Sequence, residues 1–345
     1  MARKLFWVSL ALTPITLVVH SAFGVGGTPI FVLSAAALTP LAFLIGEATE
    51  HVAEHTGSGI GGFLNASFGN APELIIALFA IGSNLPDVVR GSITGSVVST
   101  SLLVFGAAMA VGRDGDVDRC SLALQIGMVL VAVLLFLVPS IPAMHGNPER
   151  HSLYLLTLPV AGVLLALYLL LTFRNLRRHH AAHTAEPAEE AWTLRRGIAV
   201  LAAATVATAF VSELLVHSLA SFGHALGLSE FFVAVVIVAI VGNAAEHGGA
   251  IVTARRGNAN LAAEIAVSSA AQVAVFVAPT IALISFLVGR GLPLSFRPIE
   301  LVAMGGAGIV VAITLADGRT RRWEGYLLIA MYAAAVTAFG FAGDR

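Results

Sequence analysis

Two short segments, Gly69-Asn70-Ala71-Pro72-Glu73 and Gly242-Asn243-Ala244-Ala245-Glu246, lie 173 residues apart, each inside a long apolar stretch. A carboxylate at bilayer depth is costly, so each Glu marks a functional site by default. Asn70 and Glu73 are three residues apart, as are Asn243 and Glu246, so each pair shares one helix face. At the same offset Ala77 falls on Ala250, Ser96 on Ser269 and Ser99 on Gln272. Each Glu is thus followed 23 and 26 residues later by polar side chains on the next apolar stretch.

Hard divalent cations choose oxygen ligands: carboxylates, amide and backbone carbonyls, hydroxyls and water. Glu73, Glu246, Asn70, Asn243, Ser96, Ser99, Ser269 and Gln272 make up such a set, and His247 beside them offers an imidazole. Nothing here supplies thiolate, which makes zinc or copper the weaker reading. Two carboxylates neutralise one divalent ion. In an empty apolar pocket, desolvation and mutual repulsion favour their protonated forms, so the same oxygens hold either metal or protons. That competition is a mechanism for cation/proton antiport. The structural alternatives are interhelical hydrogen bonding for Asn and Ser, and close helix packing for Gly242, Ala245 and Gly249. For the two Glu the alternative is an ion pair, but no basic residue lies near the middle of any apolar stretch.

The elements that must position these residues are membrane helices. The chain is 57% hydrophobic and 11% charged, with mean hydropathy +0.89, far from the soluble globular range. Eleven stretches are long enough to cross a hydrocarbon core: 5–22, 28–54, 60–83, 90–112, 119–138, 152–174, 195–221, 229–254, 261–288, 297–315 and 321–342. The fold class is an all-α polytopic membrane protein. Pro72 removes a backbone donor, so the third span is expected to break near Asn70. A break at that depth is tolerated where it lines a cavity, and its freed carbonyls would join the carboxylate as ligands. Gly242, Gly248 and Gly249 allow close packing or a kink in the second half.

With a cytoplasmic N-terminus and eleven spans, fourteen of the nineteen Lys and Arg fall on the cytoplasmic side. Arg90, Arg150, Arg290, Arg297 and Arg345 fall outside. The N-terminal apolar run is read as a retained helix, since no small-residue cleavage site follows it. The longest polar segment, with His179, His180, His183, Glu186, Glu189 and Glu190, is a solvated linker that could alternatively bind metal. The chain then divides into an extra helix (1–27), a first five-helix repeat (28–174), a cytosolic linker (175–194) and a second repeat (195–345). Five is odd, so the second repeat inserts upside down. This is the architecture that alternates access around a midplane site.

A second acidic face closes the 28–54 span: Glu47, Glu50, His51, Glu54 and His55, gathered on one side of a helix. It is expected to be a cytoplasmic vestibule that concentrates cations or, for Glu54 and His55, simply a solvated helix end. Glu213, near the end of 195–221, is set beside them as a counterpart in the second half, although it does not align at the same offset. Net charge is −1, which points to no nucleic-acid partner. The single Cys120 excludes an intrachain disulfide and a cysteine metal cluster.

At these residues the chain resembles the calcium/proton exchangers (the CAX type) of the calcium/cation antiporter superfamily. The first signature is Leu64-Asn65-Ala66-Ser67-Phe68-Gly69-Asn70-Ala71-Pro72-Glu73-Leu74-Ile75-Ile76-Ala77. The second is Gly242-Asn243-Ala244-Ala245-Glu246-His247, continuing to Ser269, Gln272 and Phe276-Val277-Ala278-Pro279. Gly46-Glu47-Ala48-Thr49-Glu50 and Gly227-Leu228-Ser229-Glu230 are supporting matches. The resemblance implies export of calcium from the cytosol, or its import into a compartment, driven by proton flow. It implies that Glu73 and Glu246 bind calcium and protons, with Asn70, Asn243, Ser96, Ser99, Ser269, Gln272 and His247 nearby. It also implies a cytosolic acidic path of Glu47, Glu50 and Glu213. The chain departs from the family at Thr100 (usually Asn), Ser268-Ser269-Ala270 (usually Gly-Ser-Ser), Ala239 (usually Pro) and Arg255-Arg256 (near a usual Lys).

The expected function is Ca2+/H+ antiport in a bacterial plasma membrane, with lipid as surroundings, Ca2+ and H+ as cargo and no cofactor. A sodium-coupled or manganese-transporting exchanger is the alternative within transport. A channel would conduct without a counter-ion gradient. An intramembrane metalloprotease would need H-E-x-x-H, and Glu246-His247 has no second His at that spacing.

Overall fold

The computed structural model of the chain describes residues 2–179 and 192–344. Thirteen described helices run in order: α1 (Ala2–Ser9), α2 (Leu12–Phe23), α3 (Thr28–Gly69), α4 (Ala71–Gly82), α5 (Pro86–Val111), α6 (Arg119–Ala143) and α7 (His151–His179). After the linker follow α8 (Leu194–Leu226), α9 (Glu230–Gly242), α10 (Ala244–Arg255), α11 (Ala259–Leu287), α12 (Pro298–Thr314) and α13 (Arg322–Ala342). Two short strands, β1 (Gly115–Asp116) and β2 (Arg319–Thr320), pair antiparallel and tie the end of α5 to the start of α13.

Among the described residues eight spans are long and apolar enough to cross a membrane, the first being Phe6–Phe23 across α1 and α2, or nine if the bent pair α9–α10 is one span. The expected eleven is therefore not reached by length and composition, because α4 and α12 have only 12 and 17 residues. The expected interruption between 54 and 60 is also absent. α3 runs unbroken for 42 residues, since glycines lower helix propensity without removing a hydrogen bond. His180, His183, Glu186, Glu189 and Glu190 of the linker lie outside the described residues, and the side chain of His179 does too.

Helix starts follow from capping side chains. Asp118 accepts from the Cys120 and Ser121 amides, Ser229 from Phe232, and Asn258 from Leu261, each satisfying an N–H that the first turn leaves open. The core sits around α5 and α11, whose apolar windows are 89% and 61% buried, against 11% for the first span and 28% for α7. These two helices carry the Ser and Gln positions singled out by the repeat. Around them, α3 and α8 pack antiparallel: Gly27 lies against Ser221 at one end, and Val52 against Gly197 at the other.

Backbones approach closely where glycine permits it. A Cβ on Gly95 of α5 would fall 1.9 Å from the Val235 carbonyl oxygen of α9. Gly106 and Gly325 likewise face each other across α5 and α13. Ser99–Val104, Val233–Val238 and Val273–Val277 widen into π-helical turns, a departure that is frequent at functional sites.

Candidate cation site

The two signatures form two broken helices. The chain leaves helical geometry at Asn70 (φ −96°, ψ 13°) between α3 and α4, and at Asn243 (φ −92°, ψ 13°) between α9 and α10. The break at Asn70 is where Pro72 places it. The second break, which bends α9 from α10 by 59°, needs no proline. There Asn243 Nδ2 donates back to the Ala239 carbonyl at 2.9 Å, so a side-chain amide competes for a backbone acceptor.

Glu73 and Glu246 each stand third in the half-helix that begins after the break. Each packs against the glycine of the other signature. A Cβ on Gly242 would lie 3.2 Å from Glu73 Cγ, and one on Gly69 would lie 3.7 Å from Glu246 Oε1. The asparagines also cross between halves. Asn70 Nδ2 donates to Gln272 Oε1 at 2.9 Å, and Asn243 Nδ2 donates to Ser96 Oγ at 2.7 Å. The structure thus brings Asn70, Glu73, Ser96, Asn243, Glu246, Ser269 and Gln272 into one connected set.

Within it, Ser269 Oγ donates to Glu246 Oε2. Glu73 Oε2 and Asn243 Oδ1 are sealed from solvent and have no hydrogen-bond partner among the described residues. Buried oxygens of this kind ordinarily find a partner, so these two stand out as unsatisfied acceptors among the described residues. Among the described residues no three His, Cys, Asp or Glu side chains converge. A cation at this point would therefore complete its shell with amide, hydroxyl and backbone oxygen.

The remaining expected residues sit at the margin of this set. Ser99 Oγ donates to the Ser96 carbonyl at 3.4 Å and is fully buried. His247 turns its Nε2 to Thr100 Oγ1 at 3.5 Å, away from the carboxylates' hydrogen bonds. That pairing gives Thr100 a contact that sequence spacing did not reveal.

A cavity of about 840 Å³ leads into the site, lined by Glu47, Glu50, Glu246, Ser268, Gln272 and Arg256, among others. The acidic face of α3 and the second-half carboxylate therefore share one water-accessible space. Glu213 does not join them. In the antiparallel α3–α8 pair its end lies toward Ser221 and Gly27, whereas Glu47 and Glu50 lie toward Val52 and Gly197. His51 stacks on Trp192 at 4.6 Å, and Arg196 covers the same ring at 4.7 Å.

Sequence reasoning missed an ion cluster around a buried guanidinium at the other end. It set Arg90 at the edge of a span, but α5 begins a turn earlier, at Pro86, and Arg90 is 1% exposed. Its Nη2 meets Asp87 at 2.7 Å and Glu149 at 2.6 Å, and its Nη1 donates to the Pro293 carbonyl at 3.3 Å. Arg290 reaches from the same region to the Gly82 carbonyl at 2.6 Å, capping α4. The signal available was Asp87 three residues before Arg90.

The Sodium/calcium exchanger protein family matches residues 26–177 and again 196–341. The chain is 36% identical over 325 residues to the Ca(2+)/H(+) antiporter ChaA of Bacillus subtilis (strain 168), covering 90% of this chain and 91% of that one. It is 34% identical over 363 residues to a Ca(2+)/H(+) antiporter of Synechocystis, covering 98% and 97%. The solved structure of native YfkE superposes with a TM-score of 0.84 at 32% identity, over 97% of this chain and 99% of that one. The H+/Ca2+ exchanger CAX superposes at 0.74 with 16% identity, over 99% and 91%, a likeness of fold.

Proposed function

The chain belongs to the sodium/calcium exchanger protein family, and from that membership and the site we propose that it exchanges Ca2+ for H+ across a membrane. The observation that carries this reading is the pairing of Glu73 and Glu246, one per half, each held against the other half's glycine. Two carboxylates balance one Ca2+; without it, their burial favours proton uptake. Metal and protons then occupy the same oxygens in turn, which obliges exchange.

In this reading Asn70, Asn243, Ser96, Ser269 and Gln272 supply or orient the neutral oxygens, with Ser99 and His247 behind them. Residues 28–174 and 195–345 act as inverted repeats that alternate access, with 1–27 an extra helix and 175–194 a cytosolic linker. The family match falling once in each half supports that division. Glu47 and Glu50 form the cytoplasmic mouth, with the N-terminus on the same side, in a bacterial plasma membrane. The bacterial relatives and the excess of basic residues at that end support both assignments.

The test is Ca2+ uptake into proteoliposomes with an acidic interior, comparing wild type with Glu73→Gln and Glu246→Gln. Uptake should require the pH gradient and be lost in both variants. Flux that persists after a proton ionophore would indicate a channel. Dependence on a sodium gradient would indicate the sodium-coupled alternative, and gradient-driven flux of Mn2+ alone would change the cargo but keep the mechanism.

A further inference from the structure

Among the described residues lining the cavity to Glu246, Arg256 is the one basic side chain, set in a space shared with Glu47, Glu50 and Glu246. A cation in the mouth of a cation pathway calls for an explanation. Arg256 is the C-cap of α10, the short helix that holds Glu246 in its first turn. Ten residues of helix separate the two, about 15 Å along the axis. A direct ion pair with Glu246 is therefore out of reach. Arg256 is exposed, and no ion pair forms at its guanidinium among the described residues. Among the described residues its charge is thus not consumed locally, and it contributes to the potential of the cavity, where low-dielectric walls focus the field.

We propose that Arg256 is a specificity-determining residue that sets how strongly this mouth loads divalent over monovalent cations. The proposal rests on the antiport reading above. The local enrichment of an ion is exponential in the product of its charge and the potential. A change in potential that multiplies monovalent occupancy by some factor multiplies divalent occupancy by the square of it. The guanidinium opposes Glu47, Glu50 and Glu246, so it holds down Ca2+ loading more than K+ loading. The mouth is thereby kept from saturating, and a site that must also release its ion turns over.

The experiment measures Ca2+ uptake in everted membrane vesicles energised by respiration, with K+ as competitor and ionic strength held by N-methylglucamine. Arg256→Gln should lower the KM for Ca2+ about fourfold when the K+ inhibition constant falls about twofold, with maximal rate retained. Arg256→Lys should keep wild-type values. Arg255→Gln is the control for a helix-end effect, because Arg255 occupies the last turn of α10 without lining the cavity. The inference is overturned by an unchanged KM in Arg256→Gln, by equal factors for the two ions, or by the same shift in Arg255→Gln. Equilibrium dialysis of 45Ca2+ against K+ on the purified protein reads the same ratio without transport. This ratio between Arg256→Gln and wild type, found together with a wild type that shows no gradient-driven uptake, would sink the antiport reading and leave the role of Arg256 standing.

Discussion

Glu73 and Gly242 touch across the two halves of the chain: a Cβ added at residue 242 would sit 3.2 Å from Glu73 Cγ and 3.4 Å from its Cδ. The reciprocal contact is looser, with 3.7 Å between a Cβ on Gly69 and Glu246 Oε1. The inequality makes a sharp prediction. Gly242→Ala must displace the Glu73 carboxylate by a few tenths of an ångström, whereas Gly69→Ala meets ordinary van der Waals contact. We expect Gly242→Ala to reduce the Vmax/KM of Ca2+ uptake about tenfold at an unchanged melting temperature, because ligand groups tolerate only small misplacement. Gly69→Ala should stay within about twofold of wild type, for the same reason. Equal losses in the two variants would separate the glycines from the carboxylates' positioning.

Ser269 holds Glu246 by donating to its Oε2. A hydrogen bond to a charged group contributes about 1.5–3 kcal/mol, so Ser269→Ala should weaken apparent Ca2+ affinity roughly tenfold or more. The measurement is KM in proteoliposomes, together with 45Ca2+ binding to the purified protein. An unaltered KM would show that the hydroxyl is not used.

Proton competition fixes a pH signature. On the proposed exchange both carboxylates bind Ca2+ only when ionised, so KM should rise as pH falls on the loading side. Where both sites are protonated, log KM should fall by about two per pH unit, and by about one in Glu73→Gln if that variant retains any binding. A slope near one in the wild type would mean that a single carboxylate titrates in exchange for the metal.

Two glycines on different helices should part company in stability. Gly95→Ala would drive a Cβ to 1.9 Å from the Val235 carbonyl oxygen and 2.7 Å from Ala239 Cβ, so α5 and α9 must separate. Overpacking costs about 1–3 kcal/mol or more, and we expect a clear fall in melting temperature in detergent. Gly127→Ala on α6 meets nothing within 4 Å and should raise stability by about 0.5–1 kcal/mol through helix propensity. A neutral Gly95→Ala would contradict the close α5–α9 approach.

The buried cluster around Arg90 can be tested in the same assay. Its guanidinium joins Asp87 on α5 to Glu149 in the loop before α7, and to the backbone before α12. The guanidinium is buried, but Asp87 and Glu149 are 32% and 37% exposed, so the full cost of breaking a buried pair, about 3–5 kcal/mol, does not apply. Arg90→Met should destabilise by less than that, and Glu149→Gln by less again, because Asp87 remains 2.7 Å away. Melting temperatures in the reverse order would show that Asp87 and Glu149 are not compensated by Arg90.

Much of the site was legible because its signal was local. The spacing of Asn and Glu, the 173-residue offset and Pro72 were enough to anticipate two carboxylates and the break at Asn70. The second break was harder to read, since Asn243 ends α9 through a side-chain hydrogen bond rather than through proline. What spacing could not show was which polar groups cross between halves. Asn70 finds Gln272 and Asn243 finds Ser96, and those partners depend on helix rotation and tilt. Glu213 illustrates the same limit. It reads as another acidic residue near a span end, yet the antiparallel packing of α8 on α3 carries it away from Glu47 and Glu50. The continuity of α3 was hidden by its glycines, which punctuate loops more often than they sit inside long helices.

The crossed amides also govern the order in which the protein can be built. Asn70 waits for Gln272, which is 202 residues further along the chain, and the backbone face at Gly106 waits for Gly325. At about 5–20 residues per second of synthesis, about 10–40 s separate the making of Asn70 from that of Gln272. During that interval the broken helix lacks the contacts that the second half supplies. The contacts of the first half are therefore completed only when the second arrives. Two halves that share one site must be assembled as one event, and neither half on its own is a finished unit.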